Sequence, residues 1–164
     1  MILAVSGVKN SGKTHLITRL LPILEEHGFK VATIKHTSHS FDVLETDTGK
    51  HMGAGAYATA VFSDNEFMVV KKQKEIRPEQ LMEYFPEADL ILLEGFKSSD
   101  YPKFEVIRKE NSRERVCAKQ NLLGIVTDLR KDEISGDVEG IPLFDLNDEE
   151  RLAAFIMGLM EVFG

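Results

Sequence analysis

Eight residues, Gly7-Val8-Lys9-Asn10-Ser11-Gly12-Lys13-Thr14, constrain this chain more than any others, because they fill G-x-x-x-x-G-K-[ST] completely. At average composition such a match arises in a chain of this length roughly once in 200. Its surroundings strengthen it. Ile2 to Ser6 is a short apolar run that reads as a buried strand, and Leu16, Leu20, Leu21 and Leu24 recur afterwards at helical spacing. A glycine loop between a strand and a helix places backbone N–H groups and the positive helix end around an anion. On this reading Gly7, Lys9, Asn10, Ser11, Gly12, Lys13 and Thr14 form a nucleotide-phosphate site, with Lys13 on the β- and γ-phosphates and the Thr14 hydroxyl on Mg²⁺. The bland alternative is a glycine-rich turn with an exposed lysine, which does not require Lys-Thr at the place where the chemistry does.

The rest of the chain extends that unit. Gly28 stops the first helix, and Lys30 to Lys35 follows as a second strand, parallel to the first because a helix joins them. From Thr37 to Ala58 polar residues and glycines indicate a long loop. Tyr57 to Phe62 and Glu66 to Lys71 flank Ser63-Asp64-Asn65 as a hairpin, and Pro78 opens a helix over Glu79 to Phe85. Asp89 to Gly95 reads as a central parallel strand, with further strands at Phe104 to Arg108, Leu123 to Thr127 and Pro142 to Asp145. A last helix, capped by Asn147 or Asp148, carries Leu152, Phe155, Ile156, Leu159 and Val162 on its apolar stripe. The expected fold is α/β and P-loop NTPase-like, a mainly parallel sheet flanked by helices with an added β-hairpin. With 164 residues and no linker or repeat, 1–164 reads as a single nucleotide-binding domain.

Glu94 is the natural partner of the loop. A carboxylate at the tip of a buried strand can hold the Mg²⁺ shell or orient water at a γ-phosphate, which makes Glu94 the candidate for both metal and catalytic roles. The lesser alternative is a loop carboxylate that caps the next turn. Asp89 lies at the other end of that strand, too far away to share the task. His36 directly follows the second strand and is placed nearest the phosphates. His36, His39 and His51, with Asp42, Glu45 and Asp47, lack a recognisable metal geometry, so phosphate contact or loop polarity is preferred. Asp128 closes the run Leu123 to Val126 where a base would lie, and its carboxylate can accept two N–H donors from guanine; a turn-initiating aspartate is the alternative. Lys97 and Lys103 either face an anionic ligand or are ordinary surface lysines.

Charge and cysteine usage exclude other classes. A net charge of −7 repels phosphate backbones, and Lys71-Lys72-Gln73-Lys74 reads as a solvated edge, so nucleic acid is not an expected partner. The lone Cys117 rules out an intrachain disulfide and fits a reducing compartment. Met1 to Val5 lacks a basic leader and is too short to span a bilayer, so a cytoplasmic protein without membrane attachment is expected.

These residues resemble the molybdopterin-guanine dinucleotide biosynthesis protein B family, MobB, over nearly the whole chain. The resemblance rests on Gly7 to Thr14, Ile34-Lys35-His36 with His39 and Phe41-Asp42, Ala54-Gly55-Ala56, Leu93-Glu94-Gly95-Phe96-Lys97 before Pro102-Lys103, and Val126-Thr127-Asp128. It implies GTP binding with Mg²⁺, weak GTP hydrolysis, and assistance in attaching GMP to molybdopterin. The implied partners are the molybdenum cofactor guanylyltransferase and molybdopterin-loading proteins, and the implied state is a homodimer joined near the phosphate loops and an extended β element. Carried over, the loop and Thr14 hold phosphate and Mg²⁺, Glu94 serves the metal or water, and Asp128 lies near the base. Between Phe41 and Ala56 the chain is shorter than many members, with Asp47-Thr48-Gly49-Lys50 and Lys50 where they carry an arginine. Val8 stands where the related deviant ATPases carry a second lysine, which weakens any borrowing of their activation across a dimer. A small-molecule kinase using the same loop, or an adaptor that keeps nucleotide as a structural ligand, are the competing classes; a kinase would need an arginine-rich lid, for which Asn111 to Arg115 is a poor candidate.

Overall fold

The computed structural model describes residues 1–37 and 46–163. They form two compact units, residues 1–36 with 81–164, and residues 37–80. The first unit is built on a six-stranded sheet of β1 (Ile2–Ser6), β2 (Val31–Lys35), β5 (Leu90–Glu94), β6 (Lys103–Ile107), β7 (Leu122–Thr127) and β8 (Leu143–Asp145), in the order β2-β5-β1-β6-β7-β8. Every pairing in it is parallel. The expected parallel relation of β1 and β2 holds, with β5 inserted between them. Since β1 has β5 on one side and β6 on the other, the carboxyl ends of the central strands open onto the crevice where α/β sheets bind ligands.

Alternation along the strands decides what each face buries. Leu3, Val5, Leu90, Leu92, Phe104 and Val126 face α1 (Lys13–Glu26) and α4 (Glu149–Phe163), packing on Leu16, Ile17, Leu20, Leu24, Leu152 and Ile156. Arg19 on α1 is 2.8 Å from Glu149 on α4. Asp148 caps α4, its Oδ1 accepting the Arg151 N–H at 3.2 Å. The apolar stripe of α4 is shifted from the expected one, since Ala153 and Met160 are buried and Val162 is exposed. Helical spacing from Leu152 and Ile156 leads on to Met160, which leaves Val162 beyond the edge of the stripe. On the opposite face, Ala4, Ile34, Ile91 and Leu93 pack with Met82, Phe96 and Tyr101, and Ile107 and Ile125 pack with Leu129, Ile134 and Val138. Asp89 secures the start of β5, accepting the Lys30 N–H on Oδ2 at 2.8 Å.

The second unit holds the expected hairpin, β3 (Ala58–Phe62) antiparallel to β4 (Phe67–Lys71) with Phe62 opposite Phe67. It also corrects the expectation of a structureless segment from Thr37 to Ala58, because Asp47–Gly53 is a helix, α2. Thr46 caps it by accepting the Gly49 N–H at 3.1 Å, and Lys50 pairs with Asp47 at 2.7 Å. The cap and the i,i+3 pair offset the weak propensity of the glycines. His39, Phe41, Asp42 and Glu45 lie outside the described residues. A short helix, α3 (Pro78–Met82), ends earlier than expected. No described helix is long and apolar enough to cross a membrane.

One close contact offers a test of the packing between β7 and β8. A Cβ on Gly124 would lie 2.5 Å from the Phe144 ring, which is buried, held edge-on by Phe104 and tilted against Phe155. Gly124→Ala is therefore expected to destabilise the protein by about 1–3 kcal/mol in urea unfolding, the usual cost of overpacking.

Candidate functional site

The loop between β1 and α1 is held by backbone shapes few residues tolerate. Gly7 has φ 139° and Gly12 φ 97°, while Asn10 adopts φ 62°, a region asparagine enters more readily than most side chains. A Cβ at Gly7 would sit 2.5 Å from the Val106 carbonyl oxygen and 2.9 Å from Ser11 Oγ, so the loop can lie against β6 only with glycine there. Asn111 adds a tether, its Nδ2 donating to the Lys9 carbonyl at 2.8 Å. Lys13 folds back over the loop and donates to the Val8 carbonyl at 2.6 Å and the Gly7 carbonyl at 3.3 Å. Desolvation lowers the Lys13 pKa, and nearby Lys35 and Lys97 lower it further, while Glu94 opposes them.

The site residues converge as the strand ends dictate. Glu94 shares the parity of Leu90 and Leu92, so it points to the face that carries α1. There the Thr14 hydroxyl donates to Glu94 Oε1 at 2.7 Å. Lys35, directly opposite Glu94 in the β2–β5 register, brings its ammonium 2.9 Å from the same Oε1 and 3.3 Å from Thr14 Oγ1. Sequence reasoning gave Lys35 no role. Its place at the end of a strand beside the one carrying the acid was the available signal.

The donor set suits a phosphate and a hard cation. Ser11 Oγ is buried in the loop without a hydrogen-bond partner among the described residues, an orphan hydroxyl where a ligand oxygen would satisfy it. Thr14 Oγ1 and Glu94 Oε1 are the neutral and anionic oxygens that Mg²⁺ prefers. Among the described residues no group of three or more His, Cys, Asp or Glu could hold a metal; His39, Asp42 and Glu45 of the histidine cluster lie outside them.

The other expected residues divide. His36 follows β2, donates its N–H to the Glu94 carbonyl at 3.2 Å, and sets its ring edge-on to Phe96 at 5.8 Å. Asp128 follows β7, and its Oδ1 accepts the Lys109 N–H at 2.7 Å, tying the exits of β6 and β7. Lys103 overturns both of its readings, surface lysine and ligand-facing charge. It is fully buried, its ammonium donating to the carbonyls of Ser99 at 2.6 Å, Phe96 at 3.0 Å and Lys97 at 3.4 Å. It thereby clamps the turn after Glu94, where Gly95 and Phe96 have φ of 105° and 52°. Arg115 is likewise committed, with its guanidinium donating to the carbonyls of Asp137 and Cys117 and lying 3.8 Å from the buried Glu105.

The family model described as molybdopterin guanine dinucleotide synthesis protein B matches residues 2–128. The chain belongs to that family. A probable molybdopterin-guanine dinucleotide biosynthesis adapter protein of Bacillus subtilis is 31% identical over 152 residues, covering 90% of this chain and 86% of that protein. The adapter protein of the same biosynthesis in Escherichia coli is 29% identical, covering 98% and 93%. The crystal structure of Bacillus subtilis MobB superposes with a TM-score of 0.75 at 28% identity, covering 96% of each chain. The MobB homolog of Bacillus stearothermophilus shares the fold, with a TM-score of 0.73 at 23% identity over 98% of each chain.

Two tests follow from the buried polar groups of this MobB protein. Lys103→Met would leave buried carbonyls without donors; a loss on the order of 3 kcal/mol is expected in chemical unfolding, with faster amide exchange at residues 95–99. Cys117 is 6% exposed, and burial, assisted by Glu105, pushes its thiol from an ordinary 9.0 to about 11. The folded state thus keeps a proton that the unfolded chain loses, so this group's stabilisation is full below about pH 9 and fades as pH rises towards 11. Iodoacetamide labelling at pH 8 should run about 100-fold slower in the native protein than in urea from thiolate fraction alone.

Proposed function

We infer that this chain binds GTP with Mg²⁺ on the Gly7–Thr14 loop and serves as an adapter in the formation of molybdopterin guanine dinucleotide. The observation that carries the reading is the Thr14–Glu94 hydrogen bond at 2.7 Å, which joins the end of the phosphate loop to the acid of the neighbouring strand. The N–H groups of the loop and the N-terminus of α1 receive the phosphates, Lys13 neutralises them, and the buried Ser11 hydroxyl gains its missing partner. Mg²⁺, when bound, neutralises phosphate charge; Thr14 and Glu94 hold it, and Glu94 is the group that orients water. His36 borders the phosphates beside Glu94. Asp128 receives the guanine N–H groups, its position fixed by Lys109.

Turnover is slow on this reading, since the loop contains no arginine and a charge-stabilising arginine contributes roughly 10³–10⁵ in rate. The names of the relatives support an adapter, and the partners of matching chemistry are the molybdenum cofactor guanylyltransferase and the molybdopterin-loading proteins. A homodimer accords with the hairpin, where Phe62 and Phe67 face each other with 84% and 69% of their surfaces exposed. The protein works in the cytoplasm, without nucleic acid. The kinase reading is weakened by Arg115, whose guanidinium is spent within the fold.

Calorimetric titration of GTP and ATP with Mg²⁺, into the natural protein and Lys13→Ala, tests the proposal. GTP should bind in preference to ATP, and the variant should lose at least about tenfold in affinity, the scale of one charge-assisted phosphate contact. Unchanged affinity in Lys13→Ala would remove the loop as the site. Equal use of ATP with phosphate passed to a small acceptor would replace the adapter by a kinase.

A further inference from the structure

The cation notch at the mouth of the loop already contains a positive charge. Lys35 Nζ lies 2.9 Å from Glu94 Oε1 and 3.3 Å from Thr14 Oγ1, so one ammonium bridges the two oxygens that suit a hard divalent ion. We propose that Lys35 is the resident counter-ion of this notch and gates it, so that Lys35 and a divalent cation bind Thr14 and Glu94 in mutually exclusive arrangements. The proposal rests on the reading of this loop as a nucleotide-phosphate and Mg²⁺ site.

Three observations carry it. First, only 12% of the Glu94 side chain is exposed, so its carboxylate needs a cation partner, and Lys35 is the one cationic side chain paired with it among the described residues. Second, Lys13 does not fill that role: it feels the Glu94 charge, but its ammonium donates to the Val8 and Gly7 carbonyls and makes no ion pair with Glu94 among the described residues. Third, the Lys35 side chain is 57% exposed at the end of the outermost strand, so its flexible stem can withdraw without opening the core.

A divalent ion at Thr14 and Glu94 would stand within contact distance of the Lys35 ammonium if the lysine stayed, and like charges at that separation repel strongly. The ion therefore enters as Lys35 leaves. A polyphosphate supplies the departing ammonium with a new anion, which couples metal entry to nucleotide arrival. In the nucleotide-free protein the displaced lysine has no such anion, and divalent ions bind weakly. Lys35 is thus a positioning residue that orders the two ligands, distinct from the groups that touch phosphate in the loop.

The test is Mn²⁺ binding to the nucleotide-free full chain, followed by electron paramagnetic resonance, for the natural protein, Lys35→Met and Lys35→Arg. Lys35→Met keeps the stem and removes the charge, and at least tenfold tighter Mn²⁺ binding is expected. Lys35→Arg should stay within about threefold of the natural protein, and Thr14→Ala added to Lys35→Met should abolish the gain. Equal Mn²⁺ affinity in Lys35→Met and the natural protein, with circular dichroism unchanged, would overturn the proposal. Were Lys35→Met to unfold, Lys35→Gln provides the same comparison. The two readings fail separately: absence of GTP binding by the natural protein removes the nucleotide site, whereas GTP binding with Mn²⁺ affinity indifferent to Lys35 removes the gate alone.

Discussion

The register between β2, β5 and β1, with Lys35 and Val5 on either side of Glu94, governs the chemistry of this molecule. Side chains alternate along a strand, so Glu94 faces α1 only because Leu90 and Leu92 are buried on that same face. Slipping β5 by one residue would carry all three to the other side of the sheet. The apolar core thereby enforces the position of a polar group. Burial of Leu90 and Leu92 selects the register, the register aims Glu94, and Thr14 meets it because α1 starts directly above.

Two tight chain reversals leave the sheet at this edge, and each is stabilised by groups that make no use of the ligand-facing surface. At Gly7 the backbone touches the Val106 carbonyl and Ser11, an approach that only a residue without Cβ permits. At Gly95 and Phe96 two successive residues have positive φ, a conformation that is unfavourable for phenylalanine and persists where the surroundings over-determine it. The surroundings here are Lys103, Ser6 and the ring of Tyr101. The buried ammonium donates to carbonyls of the turn, the Ser6 hydroxyl donates to the Gly95 carbonyl, and Tyr101 sits edge-on to Phe96. A lysine enclosed by the protein is costly unless its donors are satisfied, and the turn satisfies them. The polar interior next to β6 acts as scaffold for the acid two strands away.

How far this could be read from the residues depended on whether the information was local. The strands were legible because apolar runs of strand length ended in turn residues, and the loop because Gly7, Gly12, Lys13 and Thr14 each answer a separate physical need. Helix α2 was obscured by Gly49 and Gly53, whose low propensity masked a Thr46 cap and an Asp47–Lys50 pair. Val162 was assigned to the apolar stripe by spacing alone, although the helix turns it into solvent. Lys35 and Lys103 were beyond local reasoning. Both acquire their meaning from pairing between distant segments, β2 with β5 and β6 with the turn at 96–99, and a lysine carries no mark of whether it will be buried or exposed.

Charge completes the logic of the site. The chain is acidic overall, yet Lys35 and Lys97 add their positive charge to the surroundings of Lys13, with Glu94 opposing them. A local positive field on a negative body attracts a compact polyanion and repels an extended one, because the latter must also cross the acidic surface. On the proposed function, that distinction separates a nucleoside triphosphate from a nucleic acid without any appeal to the base. It also explains why the neighbouring lysines differ in constraint: Lys13 is pinned by loop carbonyls and desolvated, while Lys35 remains largely exposed and tied only through Glu94 and Thr14. Of the two, Lys35 is the one whose partner can change without disturbing the Gly7–Thr14 loop.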